Sequence, residues 1–209
     1  MVIISGPSGS GKGTVVKRLD PALGYAVSIS VTTRKPRDTE AHGRDYFFIT
    51  EEEFVQMRSE NGLLEHFAYV GNYYGTPRSY VEKQIAQGQI VVLEIDVNGA
   101  LQVQEKFPEA VLIFLMPPTL TELQQRLVNR ATEDAVTIEA RLKKALEEIP
   151  FIDRYDYLVI NDDINEAVNN VNAIVTAERL RPSRNEKIIK DFTRSQVQME
   201  YYILKEPTC

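Results

Sequence analysis

Residues 1–14 read MVIISGPSGSGKGT: a short apolar strand, a glycine-rich loop, and a lysine that opens a helix. Gly6, Gly9 and Gly11 let the backbone curl so that successive N–H groups turn inward on anionic oxygens. Lys12 stands where its ammonium reaches the outer phosphates of a polyphosphate, and the helix beginning there adds the positive end of its dipole. From Gly6 to Lys12 the stretch follows G-x-x-x-x-G-K-[ST], with Pro7, Ser8 and Ser10 in variable positions. It departs at the next residue, where Gly13 replaces the hydroxyl side chain and the hydroxyl comes one place later, at Thr14. The hydroxyl in that position binds Mg²⁺ in most such loops, so Gly13 leaves the ion to phosphate oxygens, water or a carboxylate elsewhere. An ordinary Gly/Ser turn would not account for the strand before the loop and the helix after it.

At 209 residues, with net charge −6 and 43% hydrophobic residues, the chain has the size of one α/β domain with insertions. An acidic balance argues against non-specific nucleic-acid binding. No apolar run approaches the ~20 residues of a membrane span, and no basic-apolar-small leader is visible, so neither a membrane nor an exported setting is expected. The one cysteine, Cys209, cannot make an internal disulfide, which suits a reducing cytoplasm. Nothing in the composition indicates an oligomeric state.

Apolar runs at Val2–Ser5, Ile90–Ile95, Val111–Met116 and Tyr157–Ile160 are unbroken by polar alternation, as expected of parallel strands covered on both faces. Helices are predicted between them: 11–19 after the loop, one capped by Thr119 with Glu122, and 164–180. The class is therefore α/β, a doubly wound parallel sheet, with core segments 1–29, 89–125 and 150–180. Residues 30–88 interrupt it with strand-like pieces and two short helices, one boxed by Thr50 and Glu53, the other opened by Thr76-Pro77 and ended at Gly88. They read as a mixed, mostly antiparallel insertion. Residues 126–149 are charged, lack strand signal and read as a helical lid. The tail, 181–209, is predicted helical to about Met199.

Within the insertion, Arg34 and Arg37 flank Lys35-Pro36. Two guanidinium groups on a stiff stretch can clamp a dianionic phosphate, with Ser30, Tyr46 and Tyr74 as hydroxyl donors; in isolation two loop arginines would read as solvated surface. Glu94 and Asp96, two apart at a strand end, point to the same side at the carboxyl edge of the sheet, beside the phosphate loop. They are candidates for ordering hydrated Mg²⁺, Asp96 through water, or for contacting the second substrate. Arg126 and Arg130 share one helical face. His42 and His66 have no evident role.

Taken together, GPSGSGKGT at 6–14, SVTTRKPR at 30–37, HGRDYFF at 42–48, GNYYGTP at 71–77, LEIDVNGA at 93–100 and INDD at 160–163 resemble the guanylate kinases, P-loop nucleoside monophosphate kinases, over roughly residues 1–180. The GK-G-T spelling is similar to that of adenylate-kinase-like members of the wider class. The resemblance implies ATP with Mg²⁺ as donor and GMP as acceptor. It implies that Lys12, Arg37, Arg130 and Arg141 are catalytic, with Arg126, Asn161 and Asp162 on the ATP side. On the GMP side it implies Ser30, Arg34, Tyr46, Glu65, Tyr74, Gly75, Thr76, Glu94 and Asp96. In that assignment Glu65 accepts the N1–H and N2–H of guanine, while Ser30 and Thr76 donate to O6. Three positions depart from the family: Glu94 stands where Asp is commoner, Asn98 where Gln is, and Ala131 replaces a lid glycine. Two alternatives remain at this point, a monophosphate kinase of shifted substrate and a kinase-like binding module without catalysis.

Overall fold

The unbroken apolar runs become the strands of one five-stranded sheet. They are β1 (Val2–Ser5), β7 (Ile90–Glu94), β8 (Val111–Met116) and β9 (Tyr157–Ile160), joined at the edge by β2 (Tyr25–Val27), which is too short and too exposed to stand out in sequence. The structure, a computed structural model, describes residues 1–69, 71–129 and 135–204. All pairings are parallel, in the order β2-β7-β1-β8-β9. Ile3 pairs with Leu93 on one side and Leu112 on the other, and all three are fully buried, which is why these strands carry no polar alternation. The first strand is thus central, and the loop leaving its carboxyl end opens between two neighbours, where ligands of open α/β sheets bind.

The helices follow from local chemistry. α1 (Lys12–Val16) is shorter than the predicted 11–19 and gives way to a 3-10 turn at Pro21–Leu23, opened by the Asp20 carboxylate accepting from Ala22 N at 2.9 Å. α4 (Val97–Lys106) is capped by Asp96, whose Oδ1 accepts from Gly99 N at 2.8 Å. α5 (Leu120–Val128) is capped by Thr119 Oγ1 accepting from Glu122 N at 3.0 Å, while the Glu122 side chain accepts from Arg126 Nε at 2.8 Å. α6 (Ala135–Glu148) follows within the stretch predicted as a lid, and α7 (Ile164–Arg179) begins after Asp163 accepts from the N–H groups of Asn165 and Glu166.

A second sheet fills the predicted insertion, ordered β4 (Phe47–Phe48), β3 (Val31–Thr32), β6 (Asn72–Pro77), β5 (Leu63–Tyr69). It is antiparallel except for the β3–β4 pair. α2 (Glu51–Ser59) carries the complete Thr50–Glu53 capping box, and its Phe54 forms a small core with Val31 and Leu63. α3 (Arg78–Ala86) starts after Pro77. The cap expected from Thr76 is not made, because that hydroxyl is used elsewhere. Leu64 of β5 and Val81 of α3 belong to the same buried cluster as Ile3, Val91 and Leu93, so the two sheets share a core there.

Residues Met1–Val171 form one compact unit and Asn172–Cys209 a second. In the second, Glu178 is paired with Arg181 at 2.7 Å and Arg184 at 3.2 Å, and Asn185 Nδ2 donates to the carbonyls of Arg179 and Arg181. α8 (Glu186–Leu204) runs past the Met199 expected as its end, since no helix breaker comes before Pro207.

Candidate active site

The phosphate loop is held from behind. Gly6 has φ +137°, and a Cβ there would collide with the backbone oxygen of Leu115. Gly11 has φ +94° and its missing side chain leaves room for Asn161, whose Nδ2 donates to Ser10 O at 2.7 Å. Asn161 is buried and committed to the loop itself, while Asp162 is exposed. Lys12 Nζ donates to Gly6 O at 2.6 Å and Pro7 O at 3.1 Å, so its ammonium folds back over the loop. A Cβ on Gly13 would lie 3.2 Å from Glu94 Oε1. The carboxylate of Glu94 therefore approaches the loop where other loops of this kind carry a hydroxyl. Thr14 is exposed.

In front of the loop is a cavity of about 300 Å³. The loop contributes Gly6, Ser8 and Lys12; the second sheet contributes Ser30, Tyr46, Glu65, Phe67, Tyr74 and Gly75; the end of β7 contributes Glu94, Ile95 and Asp96. Its last wall is α6, with Arg141, Lys144 and Glu148. Tyr74 stacks on Phe67 at 5.3 Å and meets Tyr46 edge-on at 6.1 Å, and burial pushes the Tyr46 hydroxyl above its usual range.

Glu65 is the unusual wall residue. It is 1% exposed; Thr76 Oγ1 donates to its Oε1 at 2.6 Å, and its Oε2 is buried without a hydrogen-bond partner among the described residues. Burial, with the charge of Asp96 adding to it, pushes this carboxyl up to about 7. An acceptor so placed is costly unless a ligand completes it.

The positive groups are distributed differently from the simple clamp expected. Arg34 is held by Glu40 through two bonds, 2.8 and 2.9 Å, and lies over the rings of Tyr46 and Phe48 at 5.4 and 5.7 Å. The bond to Glu40 raises the Arg34 guanidinium and holds the Glu40 carboxyl below its usual range. Glu40 Oε2 also accepts from Arg37 N at 2.9 Å, leaving the Arg37 side chain 75% exposed. Arg141 Nη1 donates to Ser8 Oγ at 2.7 Å, bringing α6 onto the phosphate loop. Arg126 is paired with Glu122, away from the cavity wall. Arg130 and Ala131 lie outside the described residues.

Of the expected residues, the structure gathers Gly6, Ser8, Lys12, Ser30, Tyr46, Glu65, Tyr74, Gly75, Glu94, Asp96 and Arg141 around one space, and leaves Arg34, Arg37, Thr76, Arg126, Asn161 and Asp162 off its lining, together with Pro7, Gly9, Ser10, Gly11, Gly13 and Thr14 of the loop. Three charged residues were missed. Glu40 follows Arg37 by three residues, a spacing that could have suggested the pairing. Lys144 and Glu148 follow Arg141 at i+3 and i+7 on one helical face.

A glycine phosphate loop at the carboxyl edge of a parallel sheet, faced by a second wall with a buried carboxylate, defines a P-loop phosphotransferase of the nucleoside monophosphate kinase class. Residues 1–178 match the family model of guanylate kinase. The guanylate kinase of Bacillus subtilis is 51% identical over 186 residues, covering 88% of this chain and 91% of that protein. That of Clostridium acetobutylicum is 42% identical over 202 residues, 97% of each. Among solved structures, the guanylate kinase of Anaplasma phagocytophilum superposes with a TM-score of 0.73 at 35% identity over 88% of each chain. The chain belongs to the guanylate kinase family.

Proposed function

We propose that the cavity in front of the phosphate loop is where the γ-phosphoryl group of ATP passes to GMP, giving ADP and GDP, with guanine read by Glu65. The observation that carries the assignment is the free, buried Oε2 of Glu65 beside an Oε1 already held by Thr76. Guanine offers two N–H donors on one edge, and a carboxylate accepts both. Adenine lacks the N2 amine and its N1 is an acceptor, so it would leave Glu65 dry and unpaired, a discrimination of about 10⁴-fold. In this reading Thr76 acts first on Glu65, and Ser30, Tyr46 and Tyr74 face the nucleotide.

A GMP phosphate oxygen attacks the γ-phosphorus in line. The new P–O bond forms as the bond to the ADP oxygen breaks, and the electron pair leaves with ADP. The nucleophile is already ionised near neutrality, so catalysis is positioning and charge neutralisation. Lys12 and Arg141 serve the donor phosphates, and the family resemblance assigns Arg130 to the same task. Arg37 serves the acceptor phosphate, and Arg34, steered by Glu40, assists it. Mg²⁺ fits the donor set: Glu94 brings hard carboxylate oxygens over the space left by Gly13, and Asp96, held by Gly99 N and Lys144, would act through water. When bound with ATP, the ion would neutralise phosphate charge. Residues 30–88 are then the GMP-binding segment, 126–149 the lid, and 1–29, 89–125 and 150–180 the ATP-binding core. The acidic composition and the one thiol support a cytoplasmic enzyme acting on free nucleotides.

Parallel assays of ADP formation with GMP, AMP, UMP and dTMP test the assignment. Turnover with GMP far above the others is expected; AMP used as well as GMP would overturn it.

A further inference from the structure

Arg141, Lys144 and Glu148 lie on one face of α6 and line the cavity. Arg141 has its partner on the phosphate loop. Lys144 reaches the other side: its Nζ is 3.2 Å from Asp96 Oδ2 and 3.6 Å from Glu148 Oε1. A lysine on a surface helix is ordinarily solvated and its pairing contributes little. Here the partners are shielded, the side chains of Asp96 and Glu148 being 17% and 9% exposed. Burial pulls the Lys144 ammonium down, but the charges of Asp96 and Glu148 outweigh it and hold the group above its ordinary value.

The other oxygen of Asp96 caps α4 at Gly99. Gly99 in turn lies against the reader carboxylate, since a Cβ there would stand 2.9 Å from Glu65 Oε2. Contacts thus run from Lys144 through Asp96 and Gly99 to Glu65, while the same helix touches the donor loop through Arg141. We propose that Lys144 is a positioning residue for phosphoryl transfer: it fixes Asp96 at the start of α4 and so aligns the guanine reader with the helix that carries Arg141. The role rests on the GMP-kinase reading of the site.

The electrostatics point the same way. Four carboxylates line the cavity, Glu65, Glu94, Asp96 and Glu148, against Lys12, Arg141 and Lys144 among the described residues. Glu65 is faced by Thr76 from β6, by Asp96 at the cap of α4 and by Lys106 at its end; Asp96 disfavours its ionisation, Thr76 and Lys106 favour it. Removing Lys144 leaves the charge of Asp96 unbalanced, makes Glu65 harder to ionise, and weakens its acceptance of two guanine N–H groups at a given pH.

The test compares the full-length wild type with Lys144→Met and Lys144→Arg, using ATP and GMP across the neutral pH range. For Lys144→Met, kcat/KM for GMP falls about tenfold while KM for ATP changes less than about twofold, and the acid limb of the GMP profile moves to higher pH. Lys144→Arg restores most of the loss. An unchanged GMP profile in Lys144→Met, or equal losses toward both nucleotides with a lowered melting temperature, would overturn the role. So would failure of Lys144→Arg to rescue. Absence of GMP phosphorylation in the wild type would instead remove the functional reading and this role together.

Discussion

Glu65 shows how much one side chain can decide. Its folded-state pKa, about 7, lies above that of an unfolded glutamate, because burial disfavours the charge. The stabilisation belongs to the protonated form. It is fully present below the unfolded value, and is lost as pH rises through about 7. The nucleotide-free protein should therefore be less stable at pH 8 than at pH 5 by a contribution on the order of 3 kcal/mol from this group. Denaturant melts of the wild type and Glu65→Gln across that range measure it: the variant should lack the slope, and parallel pH profiles would refute it. The same variant should lose GMP turnover by about 10²-fold or more while still binding ATP. Lys12→Met should keep the fold and lose phosphoryl transfer by at least about 10³-fold; near-normal turnover would exclude Lys12 from the chemistry. The place of Lys12 at the phosphate loop was legible in the sequence because its glycine neighbours alone set it. That of Glu40 was not, because its i+3 spacing to Arg37 suggests a pairing there, and only the folded loop turns both of its oxygens onto Arg34.

At the scale of elements, the start of α4 joins the parts of the site. Asp96 ends the β7 segment, caps α4 and meets α6, while Gly99 leaves room for Glu65. Gly99→Ala puts a methyl 2.9 Å from Glu65 Oε2 and 3.3 Å from Asp96 Oδ1, although alanine suits a helix better than glycine. KM for GMP should rise about tenfold or more, with ATP kinetics nearly unchanged; equal effects on both nucleotides would mean that the helix start does not serve the guanine side selectively. The strand and cap patterns announced these elements well: the Thr50–Glu53 box and the four apolar strands stand where the periodicity puts them. The exceptions have physical causes. α1 is shorter than its pattern, β2 is too short to leave one, and Thr76 gives its hydroxyl to Glu65 instead of capping α3.

At the scale of the whole molecule, the second sheet is tied to the first through Leu64 and Val81, which are buried with Ile3, Val91 and Leu93. Leu64→Ala should cost about 2–5 kcal/mol and, because the core is shared, melt both sheets in one transition. Hydrogen exchange at β1 and β5 followed with denaturant checks this: independent opening of β5 at unchanged β1 protection would contradict a shared core.

Sequence alone determined the phosphate loop, the parallel sheet and the presence of an insertion, since each is a local pattern of glycine, apolar periodicity or capping. The family resemblance added the candidate substrate residues. Tertiary structure decided which of thirty acidic side chains is driven into the dry wall of the cavity and left with an open oxygen. It also decided that Asn161 braces the loop, that Glu40 steers Arg34, and that Lys144 meets Asp96. Those facts depend on burial and on contacts that the fold makes, most of them between residues far apart in the chain, and the energy of a charge depends on what surrounds it rather than on what adjoins it in sequence.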